Sequence, residues 1–144
     1  MGRILAIDYG QKRVGIAVTD ELQIIANGLC TVSAKEIFTF LSTYMVKEKV
    51  DVFVVGEAKQ MNNTASSASK FIEPFVKKLR ELYPDKQIVR IDERFTSQMA
   101  FQTMIEAGLH KKARQNKALV DTISATILLQ SYLESKDIQL KTLK

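Results

Sequence analysis

The chain has 144 residues, of which 46% are hydrophobic and 26% are charged, and its formal net charge is +5. A chain of this length buries about 70% of its unfolded surface, so it needs neither a metal nor a disulfide merely to fold. Its one cysteine, Cys30, excludes an internal disulfide, as is typical of a reducing compartment. Because no apolar run has the length of a membrane span and the N-terminus does not resemble a signal peptide, we expect a single cytoplasmic domain over residues 1–144 with no membrane partner.

Three strands are predicted first. RILAID and VGIAVT are separated by the turn GQKR and predict an antiparallel hairpin, and IIANGLCTV predicts a third strand. The first run is apolar on both faces, which is typical of a central strand. It ends in an acid, Asp8, and a carboxylate at the end of a buried strand calls for an explanation.

Helices and strands alternate in the next part of the chain. SAKE, residues 33–36, has the spacing of a capping box and predicts the start of a helix. DVFVVG predicts a fourth strand and is followed by a polar loop. A helical stripe then runs from Ala68 to Leu82, where Pro74 predicts a kink or a late helix start.

The last part of the chain predicts a fifth strand and two helices. QIVRIDE forms the strand and ends in Asp92 and Glu93. One helix is capped near Thr96 and closed by Gly108, and the final helix is capped by Asn116. The whole order predicts an α/β fold with a mixed five-stranded sheet, in which the first three strands are antiparallel and the first, fourth and fifth are parallel.

Acids gather at one predicted edge of this sheet. Ligands of open α/β sheets bind outside the carboxyl ends of the parallel strands, where Asp8 and Glu93 both fall if the first and fifth strands are neighbours. Two such carboxylates must share a proton or hold a cation. Asp121, in the first turns of the last helix, is either a third member of the set or an acid favoured there by the helix dipole.

A basic run leads into the start of the last helix, with no acid between Glu106 and Asp121. Such a run is either a solvated face or a contact for a phosphate backbone. Its members are Lys111, Lys112, Arg114 and Lys117.

Four segments, AIDYGQKRVGIAVTD, VVGEAKQMNNTAS, DERFTSQMA and KALVDTISATILL, together resemble the YqgF family of bacterial RNase H-like nucleases, also called RuvX. The resemblance covers nearly the whole chain in the right order. The matching positions are Asp8, Gly10, Arg13, Gly15, Asp92, Glu93, Arg94 and Asp121. One departure is the loop from Glu57 to Thr64, which lacks the Leu-Pro pair and Gly-Thr turn of many relatives.

The resemblance implies an RNase H-like fold and a nuclease dependent on Mg²⁺ or Mn²⁺. It implies that Asp8, Glu93 and Asp121 are the catalytic and metal-binding acids. Arg13, Arg94 and the basic run are then the expected nucleic-acid contacts. The implied substrates are the 5′ end of precursor 16S rRNA or, alternatively, a four-way DNA junction, with a ribosomal precursor as an expected partner.

Two other classes of function stay open at this point. The first strand and turn also resemble the phosphate motif of actin-like and sugar-kinase nucleotide enzymes, although no second copy of the motif is present to enclose ATP. A binding module that kept the fold and lost catalysis would show a broken acid set, whereas all three acids are present here. A junction-cutting enzyme needs two active sites and hence a homodimer, while an RNA trimmer can be a monomer.

Overall fold

Five strands form one sheet in the computed structural model, which describes residues 2–57, 69–92 and 117–142. The strands are β1 (Arg3–Tyr9), β2 (Arg13–Thr19), β3 (Ala26–Ser33), β4 (Val50–Glu57) and β5 (Gln87–Asp92). Their spatial order is β3-β2-β1-β4-β5. The pairs β1–β2 and β2–β3 are antiparallel, and β1–β4 and β4–β5 are parallel, so the predicted mixed sheet is confirmed.

The central position of β1 follows from its composition. Residues 4–7 are fully buried because both faces of this strand are covered, as the continuous apolar run predicts. The condition that the first and fifth strands are direct neighbours is not met, since β4 lies between them. Two strand spacings, about 10 Å, therefore separate the backbones of β1 and β5.

Three helices cover the two faces of the sheet within the described residues. They are α1 (Ile37–Lys47), α2 (Ser69–Leu82) and α3 (Lys117–Thr142). Buried side chains of α1 and α2 pack with Leu5, Ile7 and Phe53 on one face. Buried side chains of α3 pack with Ile4 and Ala6 on the other face, so β1 alternates between two separate cores.

Several local predictions need correction. The predicted capping box does not form, because Ser33 still pairs with Arg13 in the sheet and the residue that precedes α1, Glu36, makes no side-chain cap. The third strand starts at Ala26 rather than at residue 24, since the preceding residues belong to a turn held by Asp20. Pro74 lies inside α2, which already includes Ser69, so the helix does not start late at Pro74. The helix predicted over residues 96–108 lies outside the described residues.

No helix in the described ranges is both long enough and apolar enough to cross a membrane.

Candidate active site

The side chain of Asp8 lies on the α3 side of the sheet. Successive residues of a strand point to opposite faces, and Ile4 and Ala6 belong to the core under α3. Tyr9, next to Asp8, packs instead on the α2 side, where its ring stacks on Phe75 with 4.4 Å between centroids. The end of β1 is thereby fixed on one side while Asp8 faces the other.

Asp121 is brought to the same place by a close approach of α3 to β2. Gly15 is the sheet partner of Asp8, and a Cβ atom added to Gly15 would collide with the backbone carbonyl oxygen of Asp121. Directly paired residues of an antiparallel pair point to the same face, so Asp8 and Asp121 share one side of the sheet. The small residue at position 15 is what allows the helix backbone to sit here.

Arg13 forms an ion pair with Asp121. Its Nε atom donates to Oδ2 of Asp121 over 2.8 Å, and the two side chains are 40% and 22% exposed. Arg13 is itself held by the hairpin turn, since the Gly10 N–H donates to the Arg13 carbonyl oxygen over 2.9 Å. The pair joins residues 108 positions apart, so no local sequence pattern indicated it.

The helix is held beside this site by further short contacts. The hydroxyl groups of Thr31 and Thr122 are 2.7 Å apart, and the Thr126 hydroxyl donates to the Thr122 carbonyl oxygen over 2.8 Å. A Cβ atom added to Gly28 would lie 2.7 Å from the Thr122 methyl group. These residues were not predicted from the sequence, because isolated threonines and a strand glycine do not indicate where a helix packs on a sheet.

The carboxyl ends of β4 and β5 reach the same edge. Glu57 and Asp92 are paired in the parallel register and alternate onto the α2 side, because Phe53 and Val55 of β4 pack there. Neither acid therefore shares the face of Asp8. Glu93, the next residue in the chain, lies outside the described residues.

The remaining predicted nucleic-acid contacts also lie outside the described part of the chain. They are Arg94, Lys111, Lys112, Arg114 and the side chain of Lys117, whose backbone begins α3. The loop from residue 58 to residue 64 is likewise not described, and only its first predicted residue, Glu57, has a place in the sheet.

The donor set fits a hard divalent cation. Asp8 and Asp121 supply carboxylate oxygens, the ligands that Mg²⁺ prefers, from a rigid strand end and a helix packed closely on it. Among the described residues no three acids, histidines or cysteines gather into one group. A site of three carboxylates therefore needs a residue from outside these ranges.

Comparison with known proteins gives a consistent result. Residues 2–135 match the sequence model of the RuvX family, described as Holliday junction resolvase. A protein of Flavobacterium psychrophilum, provisionally named pre-16S rRNA nuclease, is 61% identical over 136 residues, which are 94% of this chain and 99% of that protein. A protein of Bacteroides thetaiotaomicron with the same name is 60% identical, with the same coverage of both chains.

A solved structure with a similar fold is RuvC of T. thermophilus in complex with a Holliday junction substrate. It superimposes with a TM-score of 0.52 and 12% identity, covering 89% of this chain and 92% of that chain. At this identity the likeness shows the fold alone, and it confirms the predicted RNase H-like fold.

Proposed function

The chain belongs to the RuvX family, and we propose that it is a metal-dependent nuclease that hydrolyses phosphodiester bonds at the 5′ end of precursor 16S rRNA. The observation that carries the proposal is the placement of Asp8 and Asp121 on one side of the sheet at the carboxyl end of β1. The names of the relatives support the choice of substrate.

Mg²⁺, or Mn²⁺ in its place, would supply water activation and stabilisation of the leaving oxygen when bound. Asp8 would hold it from the strand and Asp121 from the helix. We propose Glu93 as the third ligand. Because the backbones of β1 and β5 are about 10 Å apart, a side chain from the end of β5 must reach across the end of β4, and a glutamate is longer than an aspartate.

The arginines near the site would bind the phosphates of the substrate. Arg13 stands beside Asp121 at the edge of the site, and a guanidinium binds phosphate through two parallel hydrogen bonds. Arg94 follows the proposed ligand Glu93 directly and would orient that carboxylate or contact a phosphate. The substrate is thus a polyanion whose charge is met by arginines, while the acids hold the metal.

A four-way DNA junction is the second candidate substrate, and the description of the family model favours it. Such a reaction requires two sites and therefore a homodimer, whereas trimming of precursor rRNA needs only one. The two candidates differ in whether the substrate is RNA or DNA and in whether the active protein needs to be a homodimer. For the RNA role we propose a cytoplasmic protein that acts on precursors of the ribosome.

The test is cleavage by the wild type and by Asp8→Asn, with precursor 16S rRNA and four-way junctions as substrates and Mg²⁺, Mn²⁺ or EDTA in the buffer. The substitution removes one ligand charge at nearly constant volume, so we expect loss of cleavage with an unchanged melting temperature. Asp85→Asn is the matched control, because Asp85 is 75% exposed and lies just before β5, at the other end of the sheet. Unimpaired cleavage by Asp8→Asn would place the metal elsewhere.

The basic run gives a second test of the substrate. If Lys111, Lys112, Arg114 and Lys117 contact a phosphate backbone, replacing them with Ala should weaken RNA binding. Each lost contact should reduce the slope of log affinity against log salt by about 0.7 to 0.9. An unchanged slope would identify the run as a solvated surface.

A further inference from the structure

The ion pair of Arg13 and Asp121 occupies a carboxylate that the proposed function assigns to a metal. Nε of Arg13 lies 2.8 Å from Oδ2 of Asp121, at the edge of the face that carries Asp8. Two carboxylates on one face repel each other unless a positive charge lies between or beside them. The guanidinium provides that charge in this structure.

We propose that Arg13 is a placeholder cation, which neutralises Asp121 while no metal is bound and turns to a substrate phosphate when Asp121 becomes a metal ligand. This inference rests on the proposed function and concerns the regulation of the same site. It assigns one arginine two successive anionic partners, a carboxylate and a phosphate.

The geometry indicates which partner of the pair moves. Asp121 is held by the contact of its backbone carbonyl with Gly15, so the helix cannot shift without opening the packing between α3 and β2. The backbone of Arg13 is held by the turn to Gly10 and by its pairing with Ser33 in β3, whereas its side chain is tied to Asp121 by the Nε contact. Its side chain is 40% exposed and long, and can therefore rotate toward solvent while the hairpin stays in place.

Electrostatic repulsion makes a bound metal ion and the Arg13 guanidinium compete for the Asp121 carboxylate. A cation bound to Asp121 would share that carboxylate with the guanidinium, and like charges in such proximity repel even when the effective dielectric constant is high. A phosphate near the site removes the conflict, because it offers the guanidinium a bidentate anionic partner. Metal and nucleic acid should therefore bind cooperatively, and the coupling must be the same in either order of addition.

Calorimetric titration with Mn²⁺ tests the inference without any turnover. The titration compares the wild type with Arg13→Gln, with and without a phosphorothioate RNA oligonucleotide that keeps the backbone charge. Without RNA, we expect Arg13→Gln to bind Mn²⁺ at least about fivefold more tightly than the wild type. The gain in Mn²⁺ affinity that RNA produces in the wild type should shrink by a similar factor in the variant.

Lys12→Gln is the matched control, since Lys12 is an exposed cation in the same turn. It removes the same formal charge, so a general electrostatic effect would raise Mn²⁺ affinity in both variants. We expect Lys12→Gln and the charge-conserving Arg13→Lys to remain within about twofold of the wild type. Arg13→Met, which keeps the aliphatic stem, is a second neutral variant for use if Arg13→Gln does not fold, and it should show the same gain.

Three results would overturn the inference. An equal gain of Mn²⁺ affinity in Lys12→Gln would mean that the effect comes from the general charge of the turn and not from Arg13. Equal Mn²⁺ affinity in the wild type and the neutral variants would mean that Arg13 does not compete for Asp121. Weaker Mn²⁺ binding in the neutral variants, restored by Arg13→Lys, would make Arg13 a fixed positioning residue. Asp8→Asn separates these results from failure of the proposed site, because that variant should lose Mn²⁺ binding whatever Arg13 does.

Discussion

The two faces of the sheet are built from different kinds of contact. On the α1 and α2 face, large aliphatic and aromatic side chains fill the space between helices and strands, with Phe53 and Leu79 fully buried. On the α3 face, aliphatic side chains such as Leu128 are also buried, but near Asp121 two strand glycines let the helix backbone approach closely, and hydroxyl and carboxylate contacts hold it there.

With the proposed site on the α3 face, we expect this difference to separate stability from catalysis within one sheet. Large buried side chains contribute most of the free energy of burial, but they hold the helices at a distance set by their own volume. Close backbone contact contributes less burial, but it places Asp121 on the side of the sheet that carries Asp8. We therefore expect changes on the first face to alter the free energy of unfolding, and changes on the second to alter metal binding and cleavage.

The largest change in stability is expected for Phe53→Ala. The side chain is fully buried on the α1 and α2 face and packs near Tyr83, with 5.7 Å between ring centroids. Removing it should lower the free energy of unfolding by about 3–5 kcal/mol, which urea denaturation measures. Cleavage per folded molecule should stay near the wild-type rate, and a loss beyond the unfolded fraction would contradict the separation of the two faces.

In contrast to Phe53→Ala, Gly15→Ala should reduce cleavage much more than it reduces the free energy of unfolding. The added methyl group collides with the backbone carbonyl of Asp121, which cannot rotate away, so α3 must shift. Overpacking of this kind typically costs about 1–3 kcal/mol of stability. A displacement of about 1 Å at a ligand can cost on the order of 100-fold in rate, so cleavage should fall far more than stability.

Gly28→Ala is the control for this substitution, because its nearest contacts are the Thr122 methyl group at 2.7 Å and the Thr126 hydroxyl at 3.1 Å. These are side-chain atoms that can move, so both stability and cleavage should change less than in Gly15→Ala. Equal losses in the two variants would show that the position of α3 as a whole, rather than that of Asp121, controls the rate.

Much of the sheet could be predicted from the sequence because its signals are local. The apolar run of β1 indicated a central strand, and the alternation of its side chains decides the face of Asp8. The predicted cap at Ser33 was wrong because pairing with β2 competed with it, and that pairing depends on a distant segment. The start of β3 was misplaced because Asp20 holds a turn through the N–H groups of Ile24 and Ile25.

The candidate site was harder to predict than the fold. The acids Asp8 and Asp121 were named from the resemblance and from their positions near element ends, but their placement on one side of the sheet depends on Gly15, 106 positions before Asp121 in the chain. Arg13 was expected to contact nucleic acid, and nothing in its neighbourhood pointed to a carboxylate partner. Contacts between distant segments follow from the fold, not from local composition.

A smaller effect on stability is expected for a pair of hydroxyl groups that helps to hold α3 on the sheet. Thr31 and Thr122 have their hydroxyl oxygens 2.7 Å apart, next to the helix turn that carries Asp121. A double-mutant cycle with Thr31→Val and Thr122→Val should give a coupling of about 0.5–1.5 kcal/mol in urea denaturation. Additive effects of the two substitutions would show that this contact does not fix the helix.

The smallest effect is expected for Glu73→Gln on the α2 side. Two nitrogens of Arg90 donate to the Glu73 carboxylate over 3.0 and 2.9 Å, and this hydrogen bonding lowers the pKa of Glu73 in the folded protein. A lowered pKa stabilises the fold above the unfolded-state pKa, and that contribution is lost as the pH falls through the folded-state pKa. Because Glu73 is 52% exposed, solvent screening limits the contribution to less than about 1 kcal/mol.

Unfolding free energies of the wild type and Glu73→Gln should therefore differ slightly at pH 7 and converge as the medium becomes strongly acidic. Glu81→Gln, on an exposed position of the same helix, controls for the loss of one negative charge. A difference that persisted in acid would mean that Glu73 acts through packing, since the protonated carboxyl has no charge to offer Arg90. Cleavage at pH 7 should be unchanged, because Glu73 and Arg90 lie across the sheet from Asp8. Arg90 also donates a hydrogen bond to the Gly56 carbonyl oxygen of β4. A reduced cleavage rate would therefore show that the two faces are coupled through β4.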